Sequence, residues 1–345
     1  MQYYTLKVID IRAETTDTVT VVLKQPGLKK IKYKAGQYLT LIFRINGRRY
    51  LRPYSFSSAP GVDQNLEVTI KRVPGGVVSN HIIDAVKVDD IIEAMEPLGD
   101  FVLNEQNKDA HIVLWGAGSG ITPLMSIAKY ALAQQIARHV TLVYGNRESE
   151  SVIFKDKITE LEFTYQDKFS AFHFFTKAVI SGNNPNVIQG RIQPSKVIAV
   201  MQEENNFHDT LHYICGPEGL KQSVSTVLHD LGFSDEHIFY EDFEVVRNPV
   251  DFAGIVTQQV TIRKDGVDHT VEVTAGKSVL EAGLNALLEM AYSCQTGNCL
   301  VCKGKLLKGD LKMIGVKNVP EGLQSDERLL CSSFPVTDDV IVEIE

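Results

Sequence analysis

The stretch Cys294-Gln-Thr-Gly-Asn-Cys299-Leu-Val-Cys302 decides how the C-terminal part of this chain is interpreted. It places three cysteines in one short loop, and Cys331 follows after 28 intervening residues. Four thiolates complete a tetrahedral sulfur environment for iron or for zinc. Gly297 lies between the first two cysteines, where the backbone has to pass close to the bound group. The sequence therefore predicts a metal centre with the ligands Cys294, Cys299, Cys302 and Cys331.

The spacing of the cysteines distinguishes two kinds of metal centre. Structural zinc sites usually combine two C-x2-C pairs, and only Cys299 and Cys302 form such a pair here. The C-x4-C-x2-C spacing with a remote fourth cysteine is typical of a plant-type 2Fe-2S cluster. Five cysteines in 345 residues do not indicate a disulfide framework. A 2Fe-2S cluster is therefore the prediction, and a zinc site is the alternative.

The residues around the cysteine loop have the pattern of a small α+β fold. Segments 259–263 and 270–274 predict a hairpin that turns at 264–268, and 304–308 and 340–344 predict further strands. Ser278-Val-Leu-Glu281 is a capping box that begins a helix. This helix would present one apolar face, made of Leu280, Leu284, Leu287 and Leu288. Over residues 257–345 the pattern resembles the β-grasp fold of plant-type ferredoxins, except that Leu300 replaces a residue that is usually small.

The length and charge of the chain limit the possible classes of protein. A chain of 345 residues predicts two or three domains. The net charge is −8, and residues 251–345 carry 9 Lys or Arg against 14 Asp or Glu. This acidic balance argues against nucleic acid and favours a protein partner. The chain contains no run of 18 apolar residues and does not begin with a signal-peptide pattern, so we expect a cytoplasmic protein without a membrane span.

Residues 1–104 predict a small antiparallel barrel. Short alternating segments at 5–12, 19–24, 38–43, 50–57 and 66–72 predict strands, and Asn46-Gly47 predicts a hairpin turn. Arg52-Pro-Tyr54-Ser55 ends one strand with groups that suit a diphosphate, an aromatic ring and a ring nitrogen. The segment 74–80 (Pro-Gly-Gly-Val-Val-Ser-Asn) leads into a helix whose N-terminus attracts an anion. Taken singly, each motif also fits an edge-strand ion pair or an ordinary turn.

Together and in this order, the two motifs resemble the flavin-binding domain of the ferredoxin–NADP reductase superfamily. The resemblance implies an FAD site, and the Tyr-Ser-Phe-Ser-Ser sequence of residues 54–58 is more similar to FAD members than to FMN members. It implies flavin contacts from Arg52, Tyr54 and Ser55, lining by Ile70 and Lys71, and phosphate binding by Gly75, Gly76, Val77 and Ser79.

Residues 105–245 change to alternating strands and helices, which predicts a parallel sheet. Strand 111–115 is followed by Gly116-Ala-Gly-Ser-Gly-Ile-Thr-Pro123, whose glycines let the backbone approach a pyrophosphate at the start of a helix. Ile121 stands where the dinucleotide fingerprint has its third glycine. Thr122-Pro123 nevertheless makes the loop resemble the version found in the reductase superfamily. The resemblance implies nicotinamide nucleotide contacts from Gly116, Gly118, Gly120, Thr122, Arg147, Cys215, Gly216 and Pro217.

Further residues bear on which nicotinamide nucleotide is bound and on the hydride path. Arg147 follows the strand 140–144 and can accept the 2′-phosphate of NADP, whereas Glu148 and Glu150 would oppose it. NADPH is therefore the prediction, and NADH is the alternative. The resemblance assigns hydride transfer to Ser55, Cys215 and Phe243. Burial in a core is the alternative interpretation of Cys215 and of Phe243.

The three parts, joined by a linker at 246–256, combine an FAD-binding antiparallel barrel, a parallel-sheet NAD(P)-binding domain and a β-grasp 2Fe-2S domain. This order resembles the reductase component of multicomponent oxygenases, and in particular the phenylacetyl-CoA epoxidase type. It implies an NAD(P)H-dependent oxidoreductase that passes electrons through FAD and the cluster to a diiron oxygenase partner. The alternatives are a reductase of a Rieske oxygenase, a ketosteroid hydroxylase or a desaturase, or an electron-transfer subunit without turnover of its own.

Overall fold

The structure is a computed structural model that describes residues 2–25, 31–105, 109–177, 184–203, 209–243, 248–316 and 319–345. The chain forms two compact units. The first unit contains Met1–Ile42 and Tyr54–Asp242, and the second contains Phe43–Pro53 and Phe243–Glu345. The predicted boundary at residues 245 and 246 lies outside the described residues. The division into three domains and a linker stays a prediction.

The first sheet is antiparallel and forms the predicted barrel. Its strands are β1 (Tyr3–Thr15), β2 (Thr18–Lys24), β3 (Tyr38–Ile45), β4 (Arg48–Ser55), β5 (Leu66–Lys71) and β6 (Ile91–Met95), in the order β4-β3-β6-β1-β2-β5. A bridge between Phe56 and Val68 joins the chain just after β4 to β5, so the two ends of the sheet meet. Helix α1 (Val77–Ala85) follows β5, as predicted.

The strand β6 was not predicted, although the barrel depends on it. It pairs with both β1 and β3 and therefore fills the space between them. Its five residues alternate too briefly for a period-2 pattern to stand out, and Ile91 is exposed while Ile92 is buried.

The second sheet is parallel and lies wholly within the first unit. Its strands are β7 (His111–Ala117), β8 (His139–Asn146), β9 (Phe169–Phe175), β10 (Val187–Gln189), β11 (Thr210–Cys215) and β12 (Ile238–Glu241), in the order β10-β9-β8-β7-β11-β12. Its helices are α2 (Ile121–Ala133), α3 (Lys155–Thr164), α4 (Pro194–Glu203) and α5 (Glu218–Asp230). Neighbouring residues Leu114 and Trp115 of β7 are fully buried in two different core clusters. Both faces of the sheet are therefore covered, as is usual for parallel sheets.

Helix α2 of the parallel-sheet region is bonded to the segment that connects β4 and β5. The Ser126 hydroxyl donates to the Ser58 carbonyl at 2.6 Å, and Lys129 forms a 2.6 Å ion pair with Asp63. The Lys129 side chain is only 6% exposed, so its charge is neutralised in a largely dry environment. The helix that starts in the glycine-rich loop is thereby fixed to the barrel.

The second unit contains the predicted β-grasp fold. Its strands are β13 (Gln258–Lys264), β14 (Val267–Val273), β15 (Lys303–Lys308), β16 (Leu311–Met313), β17 (Glu327–Leu329), β18 (Ser333–Pro335) and β19 (Ile341–Ile344), with helix α6 (Val279–Asn285). The main sheet has the order β14-β13-β19-β15-β17, and β16 pairs separately with β18. The final strand β19 runs parallel to β13, so it closes the sheet beside the strand that starts it.

Two local predictions for this unit were wrong. The hairpin turn is shorter than 264–268, because Lys264 pairs directly with Val267 and leaves a two-residue turn. Helix α6 ends at Asn285, so the predicted four-leucine face does not form. Leu287 has φ 63° and is 75% exposed. The Leu288 amide donates to the Gly283 carbonyl and the Leu287 amide donates to the Leu284 carbonyl, which is the hydrogen-bond pattern of a Schellman motif.

None of the helices in the described ranges is long and apolar enough to cross a lipid bilayer.

Candidate functional site

The four predicted ligands come from two places in the second unit. Cys294, Cys299 and Cys302 lie in the loop after α6, and Cys331 lies in a short 3-10 turn after β17. The Leu330 amide donates to the Cys302 carbonyl at 3.0 Å, which joins the remote cysteine to the loop. Backbone amides also point at the sulfurs, because the Thr296 amide lies 3.4 Å from Cys294 Sγ and the Cys294 amide lies 3.5 Å from Cys299 Sγ. The fold therefore brings all four cysteines into one region with amide donors around them.

Hydrogen bonds between the thiols arrange the cysteines in two pairs. Cys299 bonds to Cys294 and lowers the pKa of Cys294 to about 5, and Cys302 bonds to Cys331 and lowers the pKa of Cys331. Among the described residues, no group of three or more His, Cys, Asp or Glu side chains is placed to hold one metal ion. Two cysteine pairs fit a cluster with two irons, each bound by two thiolates, better than a single four-thiolate zinc ion.

The backbone at Gly297 packs closely against its neighbours, as expected for a loop that wraps around a bound cluster. Its φ is 83°, and a Cβ atom there would lie 2.9 Å from Val316 Cγ2 and 3.2 Å from Ser332 Oγ. Only glycine adopts this conformation at this distance without moving its neighbours. The loop can therefore curl tightly between its first and second cysteines.

Strand β4 contains the predicted flavin motif, and the boundary between the two units falls within this strand. Arg52 lies in the second unit, where its Nη1 donates to the Leu51 carbonyl at 2.7 Å. Tyr54 and Ser55 lie in the first unit, Tyr54 half-buried and Ser55 buried. Ile70 is fully buried, whereas Lys71 is half-buried and its Nζ lies 3.6 Å from Asp17 Oδ2.

The Gly75-Gly76 turn before α1 is braced by side chains from the helix. The Ser79 hydroxyl accepts from the Val73 amide at 3.1 Å, and the Asn80 amide group donates to the Gly76 carbonyl. Arg72 in turn donates to Asn80 Oδ1 at 2.6 Å. Sequence reasoning did not assign Arg72 or Asn80, because the bonds that hold them depend on how the turn folds back over the helix. Val77 is the first helical residue and is exposed, so the helix N-terminus is open to an anion.

The glycine-rich loop and the Cys215-Gly216 segment meet at the carboxyl end of the parallel sheet. The strands β7 and β11 are neighbours, and Gly116 lies opposite Cys215 in register. A Cβ atom on Gly120 would lie 2.0 Å from the Cys215 carbonyl oxygen. Backbone therefore packs directly on backbone at this point. The Tyr144 hydroxyl, which was not predicted, donates to the Gly118 carbonyl at 2.8 Å and holds the loop from β8.

The other predicted residues of this region differ in their burial. Cys215 is 1% exposed, and burial raises the pKa of its thiol, so the side chain is neutral. Thr122 is buried and donates to the Ser119 carbonyl at 3.0 Å. Pro217 immediately precedes α5, and Gly216 packs against Ala117 and Leu220. Phe243 is 45% exposed, which is against the interpretation of this ring as a core residue.

Arg147 follows β8 and has an exposed side chain. The neighbouring Glu148 forms a 2.6 Å ion pair with Lys177, a residue that the sequence did not mark. The Lys177 amide also donates to the Arg147 carbonyl at 2.9 Å, and Lys155 donates to the Ser149 hydroxyl at 2.9 Å. The ion pair with Lys177 therefore offsets the charge of Glu148, while Arg147 and Glu150 are both exposed at the end of β8.

Comparison with known proteins agrees with each of these regions. Residues 5–103 match the oxidoreductase FAD-binding domain, residues 114–226 the oxidoreductase NAD-binding domain, and residues 262–336 the 2Fe-2S iron-sulfur cluster binding domain. One subunit of the 1,2-phenylacetyl-CoA epoxidase of Escherichia coli (strain K12) is 30% identical over 355 residues, which cover 99% of this chain and 98% of that protein. The chain belongs to the family of oxygenase reductase components.

Other members of this family are similar over the same length. The ferredoxin reductase component of 3-ketosteroid-9-alpha-monooxygenase of Mycobacterium tuberculosis (strain CDC 1551 / Oshkosh) is 31% identical, over 98% of this chain and 94% of that protein. The solved structure of phthalate dioxygenase reductase has a TM-score of 0.67 at 22% identity, over 99% of this chain and 98% of that one. This likeness supports the fold. Like other oxygenase reductase components, the chain is an oxidoreductase with FAD-binding, NAD-binding and 2Fe-2S domains.

Proposed function

We propose that this chain passes electrons from NADPH through FAD and the 2Fe-2S cluster to an oxygenase of the phenylacetyl-CoA epoxidase type. The observation that carries the proposal is the cysteine loop, which the bond from the Leu330 amide to the Cys302 carbonyl joins to the segment of Cys331, in a chain that matches 2Fe-2S, FAD-binding and NAD-binding domains. When bound, FAD takes a hydride from the nicotinamide and the cluster carries single electrons, so that a two-electron donor can serve a one-electron acceptor.

The residues of the chain bind and orient these groups. In the proposal, Arg52, Tyr54 and Ser55 hold the flavin, and the open N-terminus of α1 after Gly75 and Gly76 binds its phosphates. In the proposal the nicotinamide approaches Cys215, whose buried and neutral side chain keeps that position free of charge and water. The exposed Phe243 is available to cover the flavin ring.

The proposed oxygenase rests on the similarity to the epoxidase component of Escherichia coli. An oxygenase of the 3-ketosteroid-9-alpha-monooxygenase type is the second candidate, because a reductase of that system has similar identity and coverage. The two are separated by mixing the purified chain with the oxygenase component of each system and measuring substrate oxidation driven by NADPH. Product formation with the epoxidase component supports the proposal, and turnover only with the ketosteroid component would replace it with the second candidate. An absence of turnover with both would refute both.

NADPH is proposed as the electron donor because of the charges after β8. The ion pair with Lys177 neutralises Glu148, the acid nearest to Arg147 in the sequence. The Arg147 side chain is exposed, so its guanidinium can reach a 2′-phosphate. An isolated acidic residue at this position would favour the ribose hydroxyl of NADH instead.

Kinetics with both nucleotides test this preference. Arg147→Ala should lower kcat/KM for NADPH about ten- to a hundredfold and leave NADH almost unchanged, because one contact to a charged group is lost. Arg138→Ala is the matched control, since it removes the same charge at the opposite end of β8. A wild-type preference for NADH that Arg147→Ala does not alter would contradict the assignment.

A further inference from the structure

The tip of the β3–β4 hairpin belongs to the same compact unit as the cysteine loop. The Leu51 amide donates to the Tyr292 hydroxyl at 3.0 Å. Leu51 is 1% exposed and Tyr292 is 3% exposed, so water does not compete for this bond. Removing the hydroxyl would leave a buried amide without its acceptor. The bond therefore fixes the hairpin to the segment that leads into Cys294.

Arg48 makes a second contact from the same hairpin. Its Nη2 donates to the Leu284 carbonyl at 3.2 Å and to Asn285 Oδ1 at 3.3 Å, at the C-terminal end of α6. The end of a helix carries partial negative charge, so a guanidinium is favourable there. The Arg48 side chain thus connects the start of β4 to a helix 236 positions away in the sequence.

The two bonds at Leu51 connect the flavin motif with the cluster loop. The Leu51 amide is held by Tyr292, and the Leu51 carbonyl accepts from Arg52. Tyr292 lies two residues before Cys294, and the intervening Ser293 is buried. A short bonded path therefore runs within one unit from the residue proposed to hold the flavin to the first cluster ligand.

We propose that Arg48 and Tyr292 are positioning residues for electron transfer within the chain. They hold the cysteine loop against the strand segment that carries Arg52, so that the first cluster ligand and a residue proposed to contact the flavin keep one fixed geometry within the second unit. Transfer between bound groups depends on their being held at the required separation, and buried hydrogen bonds supply that rigidity. The inference rests on the proposed function in one respect, namely that electrons pass from FAD to the cluster.

The first test measures the contact without any turnover. Amide hydrogen exchange of the full-length protein should show a protected Leu51 amide, and Tyr292→Phe should raise its exchange rate about tenfold or more. Tyr3→Phe is the control, because Tyr3 is exposed on β1 in the first unit. An unchanged exchange rate at Leu51 in Tyr292→Phe would overturn the inference, whatever the protein does with electrons.

The second test measures the two electron-transfer steps separately. The protein is mixed with NADPH without oxygen, and the reduction of flavin and of cluster is followed by absorbance. In Tyr292→Phe and in Arg48→Ala, the flavin should be reduced at the wild-type rate and the cluster about tenfold more slowly. Iron content and the reduction potential of the cluster should stay at their wild-type values. Arg263→Ala is the control for charge, because Arg263 pairs with Asp268 in the same unit.

The outcomes separate this inference from the proposed function. Cluster reduction at the wild-type rate in both variants would overturn the positioning role. Equal slowing in Arg263→Ala, or loss of iron from Arg48→Ala, would also overturn it, because the effect would then be one of general stability. If the wild-type cluster is not reduced through the flavin at all, the proposed function fails, while the exchange measurement still decides whether the Leu51 contact exists.

Discussion

The cysteine loop of the second unit and the nucleotide-binding edge of the first unit are built from different parts of the chain. At the cysteine loop, side chains are the predicted ligands, and thiols 294, 299, 302 and 331 form two hydrogen-bonded pairs. At the edge of the parallel sheet, glycines let backbone pack against backbone. Gly120 packs against the Cys215 carbonyl with no room for a Cβ atom. The cysteine loop therefore depends on its thiol side chains, whereas the edge of the sheet depends on glycine, which has no Cβ atom.

This difference determines how each region responds to substitution. A ligand site depends on a few sulfur atoms, so one change can remove the bound group while the fold remains. A backbone site depends on close packing, so one added methyl group disturbs fold and binding together. Substitutions at Cys299 and Gly120 test this contrast directly, and substitutions at His212 and Ser278 compare the stability of the two units.

Cys299→Ser should abolish the cluster, because a serine hydroxyl replaces one of four thiolates. Iron and sulfide analysis should fall to background, while NADPH still reduces the flavin. Cys215→Ser is the matched control, since Cys215 lies in the first unit at the end of β11. Loss of iron from Cys215→Ser, or its retention in Cys299→Ser, would contradict the assignment of the ligands.

Gly120→Ala should destabilise the first unit by about 1–3 kcal/mol, because the added Cβ meets a backbone carbonyl that cannot move freely. Nucleotide binding should weaken at the same time, which can be measured by titration with NADP. Gly219→Ala in α5 is the control, since nothing lies within 4 Å of its added Cβ atom. That variant should keep or slightly raise stability. Equal effects of the two substitutions would show that the close packing at Gly120 does not matter.

Acid should destabilise the first unit through His212. Burial lowers the pKa of His212 to about 3, and its ring accepts from the Trp115 indole at 3.2 Å. The unfolded chain therefore binds the proton first, and stability should be lost as the pH falls from about 6.5 towards 3, by up to about 1.4 kcal/mol per pH unit. Trp115 is the single tryptophan, so its fluorescence in urea titrations reports this unfolding.

His212→Gln should flatten this pH dependence between about pH 6.5 and 5, because the group that takes up the proton is removed. His229→Gln is the control, since His229 is half exposed on α5. If the free energy of unfolding falls equally steeply with pH in wild type and in His212→Gln, another group controls the acid sensitivity of the first unit.

Ser278→Ala should have the smallest effect, a loss of about 1 kcal/mol in the second unit. Ser278 accepts from the Glu281 amide at 3.2 Å, and Glu281 accepts from the Ser278 amide at 2.8 Å. The readout is the temperature at which the cluster absorbance is lost. Ser223→Ala is the control, because Ser223 is half-buried within α5 and its hydroxyl donates to the Gly219 carbonyl instead of capping a helix. If both variants lose the cluster absorbance at the same temperature as the wild type, the capping box does not contribute to the stability of the second unit.

Several patterns among residues close together in the chain were confirmed. The cysteine spacing, the capping box at Ser278 and the order of strands and helices through the parallel sheet follow from local patterns, because residue type and spacing determine them directly. The errors occurred where local patterns end. The α6 helix stops before Leu287, the β13–β14 turn is shorter than predicted, and β6 has too few alternating residues to be recognised.

The sequence by itself determined the kinds of group the chain can bind, because cysteines and motif glycines are chemically specific at fixed spacings. Only the tertiary structure decided which distant residues meet. It pairs Cys302 with Cys331, neutralises Glu148 with Lys177, packs Gly120 on Cys215 and bonds Leu51 to Tyr292. These contacts follow from strand order, register and burial. Such features arise from the packing of the whole chain and leave no periodic signal in any one segment.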